Sequence, residues 1–232
     1  MKEKPILFST PMVKALLEGK KTQTRRVINP QPDFLQYHEY KGKVIYQCEE
    51  RAWCWGKHTA DDCFVEFDKF SERFMLPNAP YQKGDILWVR ETFGTVMARD
   101  MNKLDHYIYR ADEKVVLSFA LKHSKWKPSI FMPREAARLF LEVKSVRVER
   151  LQNITEVDAN AEGISIHECD MPDSYRDDSA EKHCTFYVCS ACKHQTLKGG
   201  YSKLWDMLNA KRGYAWESNP WVWVYEFMRV EK

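Results

Sequence analysis

Residues 16–26, LLEGKKTQTRR, hold the side chains of this chain that are best suited to chemistry. The segment contains four cationic residues and three that can form hydrogen bonds, namely Lys20, Lys21, Arg25, Arg26, Thr22, Gln23 and Thr24. Ahead of it, Thr10 and Pro11 are typical of an N-cap followed by proline at the first helical position. Gly19 is typical of the residue just past a helix C-terminus. The pattern predicts a short helix that delivers this polar cluster to a fixed place.

Lys21 is the candidate base of this cluster. Lys20, Arg25 and Arg26 carry the same charge, which disfavours the protonated form of Lys21, and partial burial would act in the same direction. A lysine that is neutral near pH 7 can act as a general base. Thr24 is close enough in sequence to be the hydroxyl group that Lys21 activates.

Four segments of the chain resemble the ASCH superfamily, whose domains have a PUA-like β-barrel. GKKTQTRR resembles the signature of the family, a glycine and one or two basic residues before a polar or charged tail. Residues 83–92, KGDILWVRET, resemble its glycine–aspartate turn into a strand. Residues 154–163, ITEVDANAEG, resemble its acidic helix, and residues 221–227, WVWVYEF, resemble its closing strand. The larger layout is similar to the longer ASCH-type proteins of phages and prophages.

The resemblance implies a fold class of α/β (α+β) type, a small PUA-like β-barrel flanked by short helices. The whole chain, residues 1–232, would form a single domain. Residues 29–80 and the cysteine-rich residues 165–200 would be insertions into it.

The resemblance also implies a catalytic set. Small ASCH proteins with a Lys–Thr–Glu set hydrolyse the amide of N4-acetylcytidine to cytidine and acetate. By that resemblance Lys21 would be the base, Thr24 the nucleophile and Glu162 the general acid/base. The same groups could serve phosphodiester cleavage, which makes a ribonuclease the alternative enzyme. In the plainer alternative, Lys21 and Glu162 only form an ion pair and Thr24 is a strand residue.

Binding of nucleic acid, RNA more than DNA, is the non-catalytic hypothesis, because PUA-like barrels commonly bind RNA. Basic residues would contact phosphates, and aromatic residues would stack on bases. The predicted ligand-binding residues are Lys20, Arg25, Arg26, Arg90, Glu91, Arg212 and Trp216, with Trp88 and Tyr214 as further stacking candidates. The alternative is that most tryptophans belong to the core.

Cys184, Cys189 and Cys192 form a C-x4-C-x2-C pattern that indicates a structural zinc site, with Cys169 as the fourth ligand. His167, His183 or His194 could substitute for one of them. Ordinary reduced thiols are the alternative. No cofactor for catalysis is predicted.

Composition sets limits on these hypotheses. The net charge of +3 does not by itself indicate a nucleic-acid-binding protein. Seven cysteines without a signal-peptide pattern argue against a disulfide scaffold. No apolar run approaches the roughly 20 residues of a membrane helix. We therefore expect a cytoplasmic protein without a membrane partner.

Several elements must position these groups. Alternation over residues 139–148 slips by one residue after Val143, which predicts a long strand with a bulge. Residues 37–47 predict a hairpin, and residues 107–110 and 115–119 predict a second. Residues 126–134 are expected to form an extended crossing segment. A helix should run from Thr155 to Glu162. Another should bury the side chains spaced at helical intervals, Tyr201, Leu204, Trp205 and Leu208, and residues 221–228 should form the last strand.

Overall fold

The computed structural model describes residues 2–29, 31, 36–40, 43–47, 64–66, 76–97, 104–112, 125–167, 187–189 and 196–231. The strands are β1 (Glu3–Leu7), β2 (Gln23–Val27), β3 (Gln36–Tyr40), β4 (Lys43–Gln47), β5 (Phe64–Glu66), β6 (Ile86–Arg90), β7 (Phe93–Met97), β8 (Leu104–Tyr109), β9 (Phe140–Arg150), β10 (Ser165–His167), β11 (Tyr187–Cys189) and β12 (Trp221–Val230). The helices are α1 (Thr10–Leu17), α2 (Glu156–Ala161) and α3 (Leu197–Asn209). The fold is mixed α+β with a core made mostly of sheet, as the sequence predicts.

A five-stranded sheet in the order β1-β6-β9-β12-β2 organises the molecule. β1 and β6 are parallel, and the other neighbours are antiparallel. The long pairing of β9 with β12 shifts register, because Glu226 lies opposite Ser145 whereas Phe227 lies opposite Val143. Lys144 is therefore the extra residue of a bulge, which confirms the predicted slip in the alternation of this strand.

The two faces of the sheet bury different sets of side chains. One face packs against α1 through a cluster that includes Ile6, Phe8, Val13, Leu16, Trp223, Tyr225 and Phe227. On the opposite face, Val222 and Val224 of β12 pack beneath Tyr201, Leu204 and Trp205 of α3. The alternation of β12 explains this division, because successive side chains of a strand point to opposite faces.

Helices α1 and α2 are each followed by a glycine at positive φ. Gly19 follows α1 with φ of +71°, and Gly163 follows α2 with φ of +92°. Thr155 and Asp158 form a capping box at the start of α2. α1 begins one residue before the predicted position, at Thr10, with Ser9 as its N-cap.

The smaller sheets bear on the remaining predictions. β3 and β4 form the predicted hairpin at residues 37–47, and β5 adds a third strand to it. β8 pairs with β7, while residues 115–119 lie outside the described part of the chain. The 3-10 turn Ser129–Phe131 interrupts residues 126–134, which we expected to be extended, and a second turn, Arg134–Ala136, begins at the last of them.

The outer strands of the five-stranded sheet are bridged by one side chain. Nη2 of Arg26, on β2, donates a 2.7 Å hydrogen bond to the carbonyl oxygen of Leu7, on β1. Between the described strands, however, the backbone pairing does not define a closed barrel. Within the described residues, none of the helices has both the length and the apolar character needed to cross a bilayer.

Candidate functional site

Lys21 lies where α1, α2 and β2 meet. After α1 ends, the backbone N–H groups of Lys20 and Lys21 both donate to the carbonyl oxygen of Ala15, and Thr22 N–H donates to Ala161. These bonds direct the Lys21 side chain inward, where it is fully buried. Its Nζ donates 2.8 Å hydrogen bonds to Oε2 of Glu162, to the Glu162 carbonyl oxygen and to the Gln23 carbonyl oxygen. All three protons of the ammonium group therefore have acceptors.

Burial and the neighbouring charges act in opposite directions on Lys21. Burial lowers the pKa of Lys21, and the Glu162 carboxylate offsets only part of this effect. Arg26 and Arg25 lower the pKa further. The direction agrees with the sequence-based expectation, but desolvation is the larger cause and repulsion by like charges is the smaller one.

Arg25 is surrounded by three carboxylates, one from β9 and two from α2 and its C-cap. Its buried Nε and Nη2 both donate to Oε1 of Glu149 on β9. Nη1 donates to Oε1 of Glu162 at 3.2 Å, and Nη2 lies 3.3 Å from Oδ2 of Asp158 on α2. Nη1 also donates to Oε1 of Gln23 at 2.7 Å. A buried guanidinium group is held stably only when its donors are matched in this way.

The network extends across the same face of the sheet. Arg147, two residues before Glu149 on β9, donates to Glu149, Asp158 and Glu226. Glu226, on β12, also accepts a 2.7 Å hydrogen bond from the Ser145 hydroxyl. Charged side chains on three adjacent strands are thus connected beneath α2. The Glu162 carboxylate is joined to this network through Arg25.

A cavity of about 340 Å³, which we call the β2–α3 pocket, lies between the edge of β2 and helix α3. Its polar lining residues are Thr24, Arg25, Arg26, Glu162, Tyr201, Asn209 and Arg212, and its apolar lining residues are Met12, Val27, Leu204, Trp205 and Leu208. Burial raises the pKa of Tyr201 well above its usual value, and Glu162 raises it further. Tyr201 is therefore neutral. The charged groups that line the pocket are three arginines and one carboxylate.

Thr24 lines this pocket, but it does not contact Lys21. It is buried on β2 directly opposite Tyr225 of β12. No hydrogen bond between described atoms joins Thr24 to the ammonium group of Lys21, whose three protons go elsewhere. The structure brings Lys21 to Glu162 and places Thr24 and Glu162 around one cavity. Glu162 is therefore the member of the predicted catalytic set that contacts Lys21 and also lines a cavity with Thr24.

The basic residues of the predicted binding set separate into two groups. Arg25, Arg26 and Arg212 line the β2–α3 pocket, and Arg212 is exposed. Lys20 is exposed, and its Nζ lies 2.6 Å from a carboxylate oxygen of Glu18. Arg90 donates to the carbonyl oxygen of Met132 and lies over the ring of Trp88. Neither Lys20 nor Arg90 is among the residues that line the pocket.

Glu91 and Trp216 also serve other contacts. Glu91 is buried and receives two hydrogen bonds from Arg138, at 2.8 and 3.0 Å. Trp216 is half-buried, and its ring packs edge-on against Tyr201 with centroids 6.3 Å apart. Trp216 thus supports the pocket wall through Tyr201. Trp88 and Tyr214, the other predicted stacking residues, are half-buried as well.

The predicted zinc ligands Cys169, Cys184 and Cys192 lie outside the described residues, as do His183 and His194. The backbone of Cys189, on β11, is described and pairs with His167 on β10. Among described residues, no group of three His, Cys, Asp or Glu side chains could hold a metal ion. The structural zinc site therefore stays a prediction.

Sequence reasoning missed several residues of the site. Glu149, Asp158 and Glu226 hold the arginines, while Tyr201 and Trp205 form the wall of the pocket. One signal was available in the sequence. Arg147 and Glu149 alternate with apolar residues on β9, so they must share a face.

A comparison of the chain with protein-family models, curated proteins and solved structures finds no match.

Proposed function

We propose that this chain binds a nucleic acid, RNA in preference to DNA, or a modified nucleoside in the β2–α3 pocket. The observation that supports the proposal is the lining of that pocket, where arginines and one oriented carboxylate surround an aromatic wall. Its volume of about 340 Å³ lies within the range of small-ligand sites. Arginines can bind phosphate or base edges, and an aromatic wall can hold a base.

We also propose that the five-stranded sheet belongs to a PUA-like barrel. Support comes from the bridge between the outer strands, in which Arg26 of β2 donates to Leu7 of β1. Cζ of Arg26 also lies over the ring of Phe8, which follows β1, at 5.4 Å from the ring centroid. These contacts bring the two edges of the sheet towards each other.

The enzymatic form of the proposal is hydrolysis of the amide of N4-acetylcytidine. Thr24 Oγ1 would attack the acetyl carbonyl carbon, its proton would pass to Glu162, and the C–N bond would break as Glu162 returns the proton to the departing amine. Water would then hydrolyse the threonine ester, releasing acetate and restoring the hydroxyl group. Lys21 would act through its hydrogen bond to Glu162, and it would serve as a base only after its ammonium group has lost one of the three protons that it donates.

The binding test measures the affinity of the purified chain for N4-acetylcytidine, cytidine and a single-stranded RNA by calorimetry. Arg212→Ala removes an exposed cation from the pocket, and Arg229→Ala removes an equally exposed cation from the end of β12. We expect Arg212→Ala to weaken binding by about fivefold, the effect of one partly screened charge contact. Arg229→Ala should bind like the unchanged chain. Equal affinities for the two variants would contradict the assignment of the pocket.

The catalytic test follows release of cytidine by chromatography, with Thr24→Val and Glu162→Gln as variants. Thr24→Val keeps the size of the side chain and removes only the hydroxyl group. We expect turnover to vanish in Thr24→Val while binding remains, because the nucleophile is lost and the pocket is kept. Full turnover in Thr24→Val would exclude this mechanism. Fragments of RNA in the same mixture would favour the ribonuclease alternative, and binding without any turnover would favour the non-catalytic one.

A further inference from the structure

A second and larger cavity, which we call the α1 groove, adjoins the β2–α3 pocket. Its volume is about 900 Å³, and it runs along the start of α1 towards the turn at Ser129. Met12, Arg26 and Leu208 line both cavities. The other described lining residues are Leu7, Phe8, Ser9, Thr10, Pro11, Lys14, Thr92, Arg110, Pro128, Ser129 and Met207. A ligand held in the pocket could therefore continue into the groove past Arg26.

The charge of the α1 groove has one sign. Lys14, Arg26 and Arg110 line it, and none of its described lining residues is acidic. Arg110 is exposed, and no described residue forms an ion pair or side-chain hydrogen bond with its guanidinium group. This contrasts with Arg25 and Arg138, whose guanidinium groups are matched by carboxylates. A cationic surface with no acidic residue among its described lining residues is suited to a polyanion.

Hydrogen-bond donors that line the groove also favour an anionic ligand. The Ser9 hydroxyl oxygen is buried and has no hydrogen-bond partner among the described residues. As the N-cap of α1, Ser9 makes no side-chain capping bond. The first N–H groups of a helix also lack intrahelical partners and carry partial positive charge. Thr10 and Met12 place such groups beside the three cations.

Two elements that line the groove carry exposed apolar side chains. The 3-10 turn that contributes Ser129 also carries Ile130 and Phe131, which are 58% and 69% exposed. Helix α3, which also lines the groove, exposes Met207 and Leu208. Bases of a single strand stack on exposed aromatic rings whatever their identity, whereas a duplex keeps its bases paired inside. These exposed side chains therefore favour a single strand over a duplex.

We propose that the α1 groove binds the single-stranded polynucleotide that flanks a nucleotide held in the β2–α3 pocket. The ligand is then a nucleotide within a strand, and a free nucleoside fills only part of the site. Arg26 contacts the strand where it leaves the pocket, Arg110 and Lys14 contact phosphates further along, and Phe131 stacks on a neighbouring base. This inference rests on the proposed function, because the strand is positioned by the nucleotide in the pocket.

The test uses the full chain and a labelled single-stranded RNA of about ten nucleotides, within the usual site size of such proteins. Fluorescence anisotropy at several salt concentrations gives both the affinity and its salt dependence. DNA of the same sequence and duplex RNA are the comparison ligands, and free N4-acetylcytidine is measured by calorimetry. Arg110→Ala and Phe131→Ala change the groove, Arg212→Ala changes the pocket, and Arg229→Ala is the matched control. All four positions are exposed, so the variants should fold, and circular dichroism checks this.

We expect Arg110→Ala to weaken RNA binding by about fivefold and to reduce the slope of log affinity against log salt by about 0.7, the contribution of one phosphate contact on a single strand. Phe131→Ala should weaken it at least about fivefold without changing that slope. Both variants should bind the free nucleoside as the unchanged chain does. Duplex RNA should bind more weakly than the single strand, and a difference between RNA and DNA would show whether the sugar is read.

The outcomes separate this inference from the proposal on which it rests. If Arg110→Ala and Phe131→Ala behave like Arg229→Ala while Arg212→Ala loses affinity, the pocket assignment stands and the groove assignment is overturned. If the free nucleoside binds as tightly as the RNA, the groove contributes nothing and the inference is also overturned. If the unchanged chain binds neither RNA nor nucleoside, the proposed function itself fails.

Discussion

The ammonium group of Lys21 donates 2.8 Å hydrogen bonds to both the carboxylate and the carbonyl oxygen of Glu162. The two residues are far apart in sequence, and this contact ties the end of α2 to the start of β2. Both side chains are almost completely buried. Burying two charges costs much desolvation free energy, so the loss of one partner would leave the other charge poorly compensated. The pair therefore holds α2 against the segment that leads into β2 and fixes the position of the Glu162 carboxylate.

The first prediction concerns the loss of Lys21. Lys21→Met removes the ammonium group and leaves a side chain of similar length, so Glu162 keeps only Arg25 as its cationic partner. We expect the free energy of unfolding to fall by about 3–5 kcal/mol, the usual cost of breaking a buried ion pair from one side. Urea denaturation followed by circular dichroism measures the change.

Lys20→Met is the matched control, because Lys20 is the preceding residue and its side chain is 54% exposed beside Glu18. Its effect on the free energy of unfolding should stay within about 0.5 kcal/mol. If both variants lost the same free energy of unfolding, the contact between Lys21 and Glu162 would contribute no more to stability than an exposed lysine does.

The sequence predicts the local features of this fold well, because they depend on neighbouring residues. Gly19 and Gly163 end their helices at positive φ as predicted, since few other residues adopt that conformation without strain. The slip in alternation after Val143 locates the bulge of β9 at Lys144. The predicted start of α1 was one residue too late, because Ser9 and Thr10 are both acceptable N-caps.

The site was predictable only in part, since its electrostatics depend on residues brought together by the fold. Lys21 and Glu162 were paired through the family resemblance, and pattern alone does not connect them. Arg25 lies on an outer strand, where a charged residue is usually solvated, yet Glu149 and Asp158 bury it. Glu91 was expected to contact ligand, but Arg138 binds it in the interior. The ion pairs of Arg25 cannot be predicted from the sequence, because they depend on how β9 and α2 pack against β2.

The second prediction concerns acid stability. Burial by itself would raise the pKa of Asp85, but the Lys4 side chain and the backbone N–H groups of Gln82 and Lys2 outweigh it and lower that pKa. A carboxyl group with a lowered pKa in the folded state stabilises the fold above its unfolded pKa of about 3.9. This contribution is lost as the pH falls through the lowered folded-state pKa.

Asp85→Asn should therefore be less stable than the unchanged chain at neutral pH, and the difference should shrink as the pH falls below about 4. Urea denaturation at a series of pH values measures it. Glu217→Gln is the control, because Glu217 is exposed and makes no ion pair with a described residue. A difference between Asp85→Asn and the unchanged chain that stays constant with pH would rule out this linkage.

The third prediction concerns Gly163, which follows Glu162. A Cβ atom at Gly163 would lie 3.0 Å from Cβ of Ala15 and 3.3 Å from Cβ of Lys21, both closer than ordinary contact. Gly163→Ala must therefore push α1 and α2 apart where Lys21 reaches Glu162, in addition to adopting an unfavourable φ of +92°. We expect a loss of about 2–4 kcal/mol in the free energy of unfolding, from backbone strain and overpacking together.

Gly213→Ala separates these two causes, because Gly213 has a similar φ of +86° and its Cβ would meet nothing within 4 Å. Its loss should be about 1–2 kcal/mol, the strain alone. The difference between the two variants then measures the crowding around Lys21. Since crowding also shifts the Glu162 carboxylate, Gly163→Ala should weaken nucleoside binding whereas Gly213→Ala should not. Equal stability losses would mean that α1 yields freely at Ala15 and that the Lys21–Glu162 contact is not held rigidly from that side.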